Sequence, residues 1–207
     1  MAYYPVFVEM KGRRCVVIGG GAVARRKVEG LLRAGAGVTV VSHVITEQLG
    51  VLAEAGKIAR VARPYQPGDL AGFQFAFVAT DDAAVTAAVR READKLGVLL
   101  NAADDPTQCD FILPAVLHRD ALTVAVATGG ASPALSRAIR EELELYFTED
   151  YAALAKIAAE VRRELREQGL FAGPESWERA LSGDLRSLIR RGDIEGAKRY
   201  LRDRLGS

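Results

Sequence analysis

Short apolar runs alternate with helical patterns through the first half of the chain, with candidate strands at Cys15–Ile18, Val38–Val41, Ile58–Val61, Phe75–Ala79 and Val98–Leu100. Between the first two lies VARRKVEGLLRAG, a helix in which Val23, Leu31 and Leu32 are expected to share a buried stripe and Gly35 stands where a C-terminal cap belongs. A second helix, Ala83–Leu96, follows the fourth strand. Near-continuous apolar strands joined by helical crossovers predict a doubly wound parallel α/β sheet.

From Phe111 the pattern changes. FILPAV and ALTVAVAT are strand-like but are separated only by LHRD, too short for a helical crossover, so they are expected to pair as a hairpin with His118 as a surface turn residue. Ser132 then reads as an N-cap and Pro133 as the first residue of a long helix, where a missing N–H costs nothing. Beyond it no strand pattern recurs, and breaks at 169–174, 182–184 and 192–193 predict three or four helices. The expected organisation is residues 1–110, 111–147 and 148–207.

Composition adds exclusions. The chain has 207 residues, 49% hydrophobic and 27% charged, which suits a soluble globular protein and excludes a disordered or collagenous one. Its net charge of +1 supplies no field for gripping a phosphate backbone, so no nucleic-acid partner is expected. The excess of Lys and Arg over acids after residue 150 reads as a helix surface laced with ion pairs. Cys15 and Cys109 form no CxxC or Cys/His cluster, and His43 and His118 are isolated, so neither a disulfide nor a metal site is expected. Cys109 reads as a bystander. The absence of a signal-like start and of any long apolar stretch points to a cytoplasmic protein with no membrane partner.

The strongest chemical signal is CVVIGGGAVARRK, where Gly19, Gly21 and Ala24 fit GxGxx(G/A) between a strand and a helix. Gly19 permits a tight turn, Gly21 admits a pyrophosphate close to the backbone, and the helix start at Ala22 and Val23 offers it a positive dipole. A Rossmann-like dinucleotide site is therefore expected. The second strand ends in Ser42-His43-Val44, which can meet a ribose but lacks the usual acid, leaving NAD or NADP open. Arg25, Arg26 and Lys27 are expected to face solvent. Thr80 should lie beside the cofactor, and Asp81 or Asp82 should cap the helix at Ala83. Asn101, Asp104 and Asp105 should emerge near the nicotinamide end, where a carboxylate can accept a proton, although Asp105 also suits an Asx turn before Pro106. Thr128, Gly129, Gly130 and Ser132 form a second loop at a helix start, able to hold an anion or simply to cap.

Taken in order, YPVFVEMKGRRCVVIGGGAVARRK, ATDD, NAADDPTQCDFILPA and VAVATGGASPALSRAIREELE resemble the precorrin-2 dehydrogenase and sirohydrochlorin ferrochelatase module of siroheme synthases. The resemblance implies NAD-dependent oxidation of precorrin-2 to sirohydrochlorin by a homodimer. In bifunctional members it also implies insertion of ferrous iron, which is then a substrate and not a bound cofactor. By the same resemblance Asp104, in NxxDxP, is the general acid/base, and Gly19–Val23 with the end of the second strand, Ser42, His43 and Val44, hold NAD; from their positions, Thr80 is expected on the cofactor and Asn101, Thr128, Gly129 and Ser132 on the substrate. The hairpin and the Pro133 helix become the dimerisation segment. A dinucleotide-sensing regulator without catalytic activity is the competing expectation.

Overall fold

The computed structural model describes residues 3–103, 105–181 and 183–206, and its contacts divide the chain into two compact units, Met1–Leu113 and Pro114–Ser207. The first unit is a five-stranded parallel sheet built from β1 (Arg14–Ile18), β2 (Gly37–Val41), β3 (Ala59–Val61), β4 (Phe75–Val78) and β5 (Leu99–Ala102), in the order β3-β2-β1-β4-β5. The central strands read as unbroken apolar runs because both faces are covered. On one face α1 (Ala22–Arg33) and α2 (Glu47–Glu54) bury Val28, Leu31 and Leu49 against Cys15, Val17, Val38, Val40, Phe75 and Phe77. On the other, α3 (Ala83–Leu96) and the 65–73 segment pack Val89, Ala93 and Leu70 on Val16, Ile18, Ala76, Val78 and Leu100.

Two details of this unit depart from the sequence pattern. The buried stripe of α1 is Ala24, Val28 and Leu31, with Val23 and Leu32 only half-buried, because the small Ala24 is what permits close approach to the sheet. The second departure is α2, eight residues with one fully buried side chain, Leu49, and a glycine in the middle, too short for periodicity to announce. Its start is fixed by Thr46, whose hydroxyl accepts from Leu49 N.

In the second unit β6 (Ala115–Arg119) and β7 (Leu122–Val126) form an antiparallel hairpin. Its turn is set by Asp120 at φ +50°, a left-handed conformation that Asp tolerates better than most residues. His118 is therefore a strand residue, exposed and 3.2 Å from Thr123 Oγ1 on the paired strand, and not part of the connection. The strand begins only after Pro114, and the preceding Phe111 instead packs edge-on against Phe75 and Phe77 in the first unit. Helices α4 (Pro133–Tyr146), α5 (Asp150–Glu167), α6 (Pro174–Ala180), α7 (Gly183–Arg190) and α8 (Ile194–Leu205) follow. The last four share a core of Ile157, Val161, Leu165, Leu185, Ile189 and Leu201. Their outer charges pair across helices, as in Arg202–Glu164 at 2.7 Å and Lys198–Glu160 at 2.8 Å.

Candidate functional site

Parallel strands β1, β2, β4 and β5 bring their carboxyl ends to one edge of the sheet, and the strand order reverses at β1, the switch point at which open α/β sheets bind ligands. The first turn at that edge is glycine-built for a measurable reason. Gly19 has φ +117°, and a Cβ there would sit 2.2 Å from Ala79 O; a Cβ on Gly20 would sit 2.1 Å from Val44 O. These two glycines let the β4 and β2 ends close on the turn, with Gly19 N donating to Val41 O and Thr46 N to Gly20 O. Gly21 differs: its φ is −80°, which any residue adopts, and nothing lies within 4 Å of its would-be Cβ.

Gly21 is also the N-cap of α1, so no side chain caps that helix and its first turn carries no acid. The neighbouring helices are closed, α2 by Thr46 and α3 by Asp82, whose carboxylate accepts from Ala84 N and Val85 N. Only α1 of these three presents uncapped first-turn amides and the positive end of its dipole to open space. The residues present therefore fit the pyrophosphate of a dinucleotide, with Ala22 exposed and Val23 half-buried at the helix start.

The other expected cofactor residues gather at the same edge. Ser42 N extends the β2–β3 pairing by donating to Val61 O, and its hydroxyl donates to Val44 O, while His43 and Val44 are exposed. Where an acid usually stands, the Arg60 guanidinium reaches from β3 and donates to His43 O at 2.9 Å. Arg60 carried no sequence signal, because its pairing opposite Val40 follows only from sheet register. Thr80 is half-buried and its hydroxyl accepts from Asp82 N, and Asp82, not Asp81, is the cap of α3.

Beyond β5 the chain makes a tight excursion and returns. Asp104 lies outside the described residues. Asp105 caps a single 3₁₀ turn (Pro106–Gln108), accepting from Thr107 N at 2.9 Å and from the Thr107 hydroxyl, so its carboxylate is engaged in the turn. The excursion is tied at its base. Asp110 accepts from Leu100 N at 2.7 Å and pairs with Arg90, which also donates to Gln108 O. The Cys109 thiol bonds the Ala102 backbone, and burial raises its pKa against the opposing pull of the Ala102 N–H and Lys27. Cys109 is a loop staple in addition to a free thiol.

Asn101 is only 6% exposed, on the face of β5 opposite Phe77 in register, donating through Nδ2 to Phe111 O. Its Oδ1 accepts from Lys27 Nζ at 2.6 Å, and that ammonium lies 5.6 Å from the Phe77 ring centre. Lys27 thus turns inward, unlike the exposed Arg26 and the Arg25 paired with Glu29. In the second unit Ser132 caps α4 through Leu135 N, and Thr128 Oγ1 bonds Ser132 N, Ser132 O and Ser136 Oγ, so capping accounts for the polar contacts of that loop. Among the described residues no His/Cys/Asp/Glu cluster could hold a metal, and no helix is long and apolar enough to cross a membrane.

Residues 6–115 match the family model NAD_binding_7, described as "Putative NAD(P)-binding", and residues 119–144 match one described as "Sirohaem biosynthesis protein central". A siroheme synthase of Methylococcus capsulatus is 39% identical over 97% of this chain and 43% of its own length. One of Nitrosomonas eutropha is 38% identical over 100% and 44%. The chain therefore spans less than half the length of these relatives. Among solved structures, SirC, a precorrin-2 dehydrogenase, superposes with a TM-score of 0.78 at 27% identity, covering 95% of this chain and 99% of that one.

Proposed function

Because this chain belongs to the NAD_binding_7 family, we propose that it oxidises precorrin-2 to sirohydrochlorin with NAD, a step of siroheme biosynthesis. The observation that carries the reading is the uncapped N-terminus of α1 facing open space over Gly21, at the carboxyl edge of the parallel sheet. The names of the relatives supply the substrate class, and SirC supports it across nearly the full chain.

Bound there, NAD accepts a hydride from a substrate carbon. The chain's own residues do the rest. Gly19–Val23 hold the pyrophosphate through backbone amides and the helix dipole. Ser42, His43 and Val44 meet the adenosine ribose, and Thr80 lies at the same edge. Asp104 accepts the proton that leaves a pyrrolic nitrogen, so hydride and proton depart to different acceptors and the substrate loses two hydrogens. Thr128, Gly129 and Ser132 are the residues offered to the tetrapyrrole, whereas Asn101, buried and bonded to Lys27 and Phe111 O, supports the end of β5 and does not reach substrate. Insertion of ferrous iron into the product, with release of two protons, is a second activity of the same reading, with iron as substrate. The protein then works in the cytoplasm as a homodimer. The segment 111–147, hairpin and α4, which follows the dinucleotide domain (1–110) and precedes the helical domain (148–207) in sequence, serves as the dimer contact. Both edges of a two-stranded hairpin are open to such pairing. Sedimentation should give a dimer at micromolar concentration, and a monomer there contradicts this assignment.

The deciding assay is anaerobic turnover of precorrin-2 with NAD or NADP, followed by addition of ferrous iron. A sirohydrochlorin spectrum that needs the dinucleotide supports the dehydrogenase, and no oxidation with either cofactor refutes it. An iron-dependent change faster than the protein-free control adds the chelatase. Because no carboxylate follows β2 and Arg60 stands nearby, NADP should bind within about tenfold of NAD. Ser42→Asp should widen that gap by a further tenfold or more through like-charge repulsion with the 2′-phosphate. Competition binding against NADH measures both, and an unchanged ratio in the variant would remove Ser42 from the ribose site.

A further inference from the structure

Two arginines around the sheet are spent on acids of their own: Arg63 pairs with Asp69, and Arg90 with Asp94 and Asp110. Arg60 is not. It is exposed on β3, the edge strand, and among the described residues no carboxylate pairs with it. A charge on an edge strand discourages sheet-to-sheet pairing wherever its head lies. Here the head has a fixed place, because Nη2 donates to His43 O at 2.9 Å. Register sets Arg60 beside Val40, on the face of the sheet that carries α1 and α2. The segment it reaches, 42–46, lies directly on the glycine turn: Thr46 N donates to Gly20 O, and Val44 O occupies the place of a Gly20 Cβ. Ser42, His43, the turn and the Arg60 guanidinium therefore share one surface beside the start of α1.

That surface has a sign and a chemistry. A guanidinium carries five N–H donors in a planar fork, and His43 O takes one of them. The rest suit a phosphate monoester, which accepts two parallel bonds from such a fork. Ser42, in the position after β2 where an acid usually takes the ribose hydroxyls, is neutral, so nothing there repels a phosphate on the ribose. We propose that Arg60 is a specificity-determining residue that takes the 2′-phosphate of NADP. The inference rests on the reading that the α1 edge holds a dinucleotide and deepens it, by adding adenosine dinucleotides phosphorylated at the 2′-oxygen to the ligands of that site. Arg60 acts only on that phosphate, since NAD offers it no anion at the 2′ position.

The test is calorimetric titration of the intact protein, R60Q and R60K with NADP, NAD, adenosine 2′,5′-bisphosphate and 5′-AMP. The last two probes differ only in the 2′-phosphate. R60Q keeps a donor for His43 O and removes the charge. It should lower the ratio of NADP to NAD affinity about tenfold or more, and R60K, which keeps the charge without the fork, should fall between. On the intact protein the bisphosphate should bind several-fold more tightly than 5′-AMP, an advantage that shrinks as salt is raised and is lost in R60Q. An unchanged ratio in R60Q overturns the proposal. Equal losses of NADP and NAD overturn it too, because Arg60 would then serve only to tie down the 42–46 segment. Should R60Q not fold, equal affinities of the bisphosphate and 5′-AMP for the intact protein overturn it alone. A protein that binds neither dinucleotide refutes the dinucleotide reading of α1 and this inference with it. One that binds them but leaves precorrin-2 unoxidised refutes only the substrate, and the R60Q ratio still decides the part of Arg60.

Discussion

Gly21→Asp is expected to leave the protein at least as stable as before and to lower its affinity for NADH by two orders of magnitude or more. The two effects have one cause. Gly21 caps α1 without a side chain, and its would-be Cβ meets nothing within 4 Å. An Asp there would accept from the first-turn amides and favour the helix dipole, worth about 0.5 kcal/mol. The same carboxylate would occupy the amides and the space a pyrophosphate needs, and would repel it. Gly19→Ala is expected to behave in the opposite sense. Its left-handed φ and a Cβ placed 2.2 Å from Ala79 O put the cost in the fold itself, about 3 kcal/mol, or a fall in Tm on the order of 10 °C. Thermal unfolding and NADH titration of both variants check the pair. Unimpaired NADH binding by Gly21→Asp would mean that α1 does not hold the dinucleotide.

Asp104→Asn is expected to reduce precorrin-2 oxidation by a factor of about 10² to 10⁴, the usual range for a lost proton acceptor, with NADH affinity within about twofold. The choice between the two adjacent aspartates rests on the resemblance to NxxDxP and is supported by what Asp105 already does. Its carboxylate caps the 3₁₀ turn through Thr107 N and Oγ1, a local bond that competes with any role toward substrate. Asp105→Asn should therefore keep turnover within a few-fold, since an amide oxygen can serve the same cap. The measurement is single-turnover oxidation with saturating NAD. Full activity in Asp104→Asn with loss in Asp105→Asn would reverse the assignment.

What could be read in advance follows from how local each signal is. The five parallel strands, the crossover helices at Ala22 and Ala83, and the glycine turn depend on runs and caps of a few residues, and the structure has them within two residues of the expected bounds. The caps at Asp82 and Ser132 were legible for the same reason: a short side chain reaches only the amides two or three residues on. Helix α2 was missed because one buried leucine makes no period. Lys27 was misplaced although a signal existed. It stands four residues after Val23 and four before Leu31, on the inward flank of the helix, but its charge argued for solvent.

Sequence by itself determined the class of fold, the anion-binding turn and the order of motifs, because each is written in neighbouring residues with fixed geometry. Only the tertiary structure decided which charges face inward. Lys27 meets Asn101 across 74 residues, Arg60 meets His43 across 17, and Arg90 meets Asp110 across 20. Such pairs exist because parallel sheet register brings distant strand ends together, and no local period or propensity encodes that register.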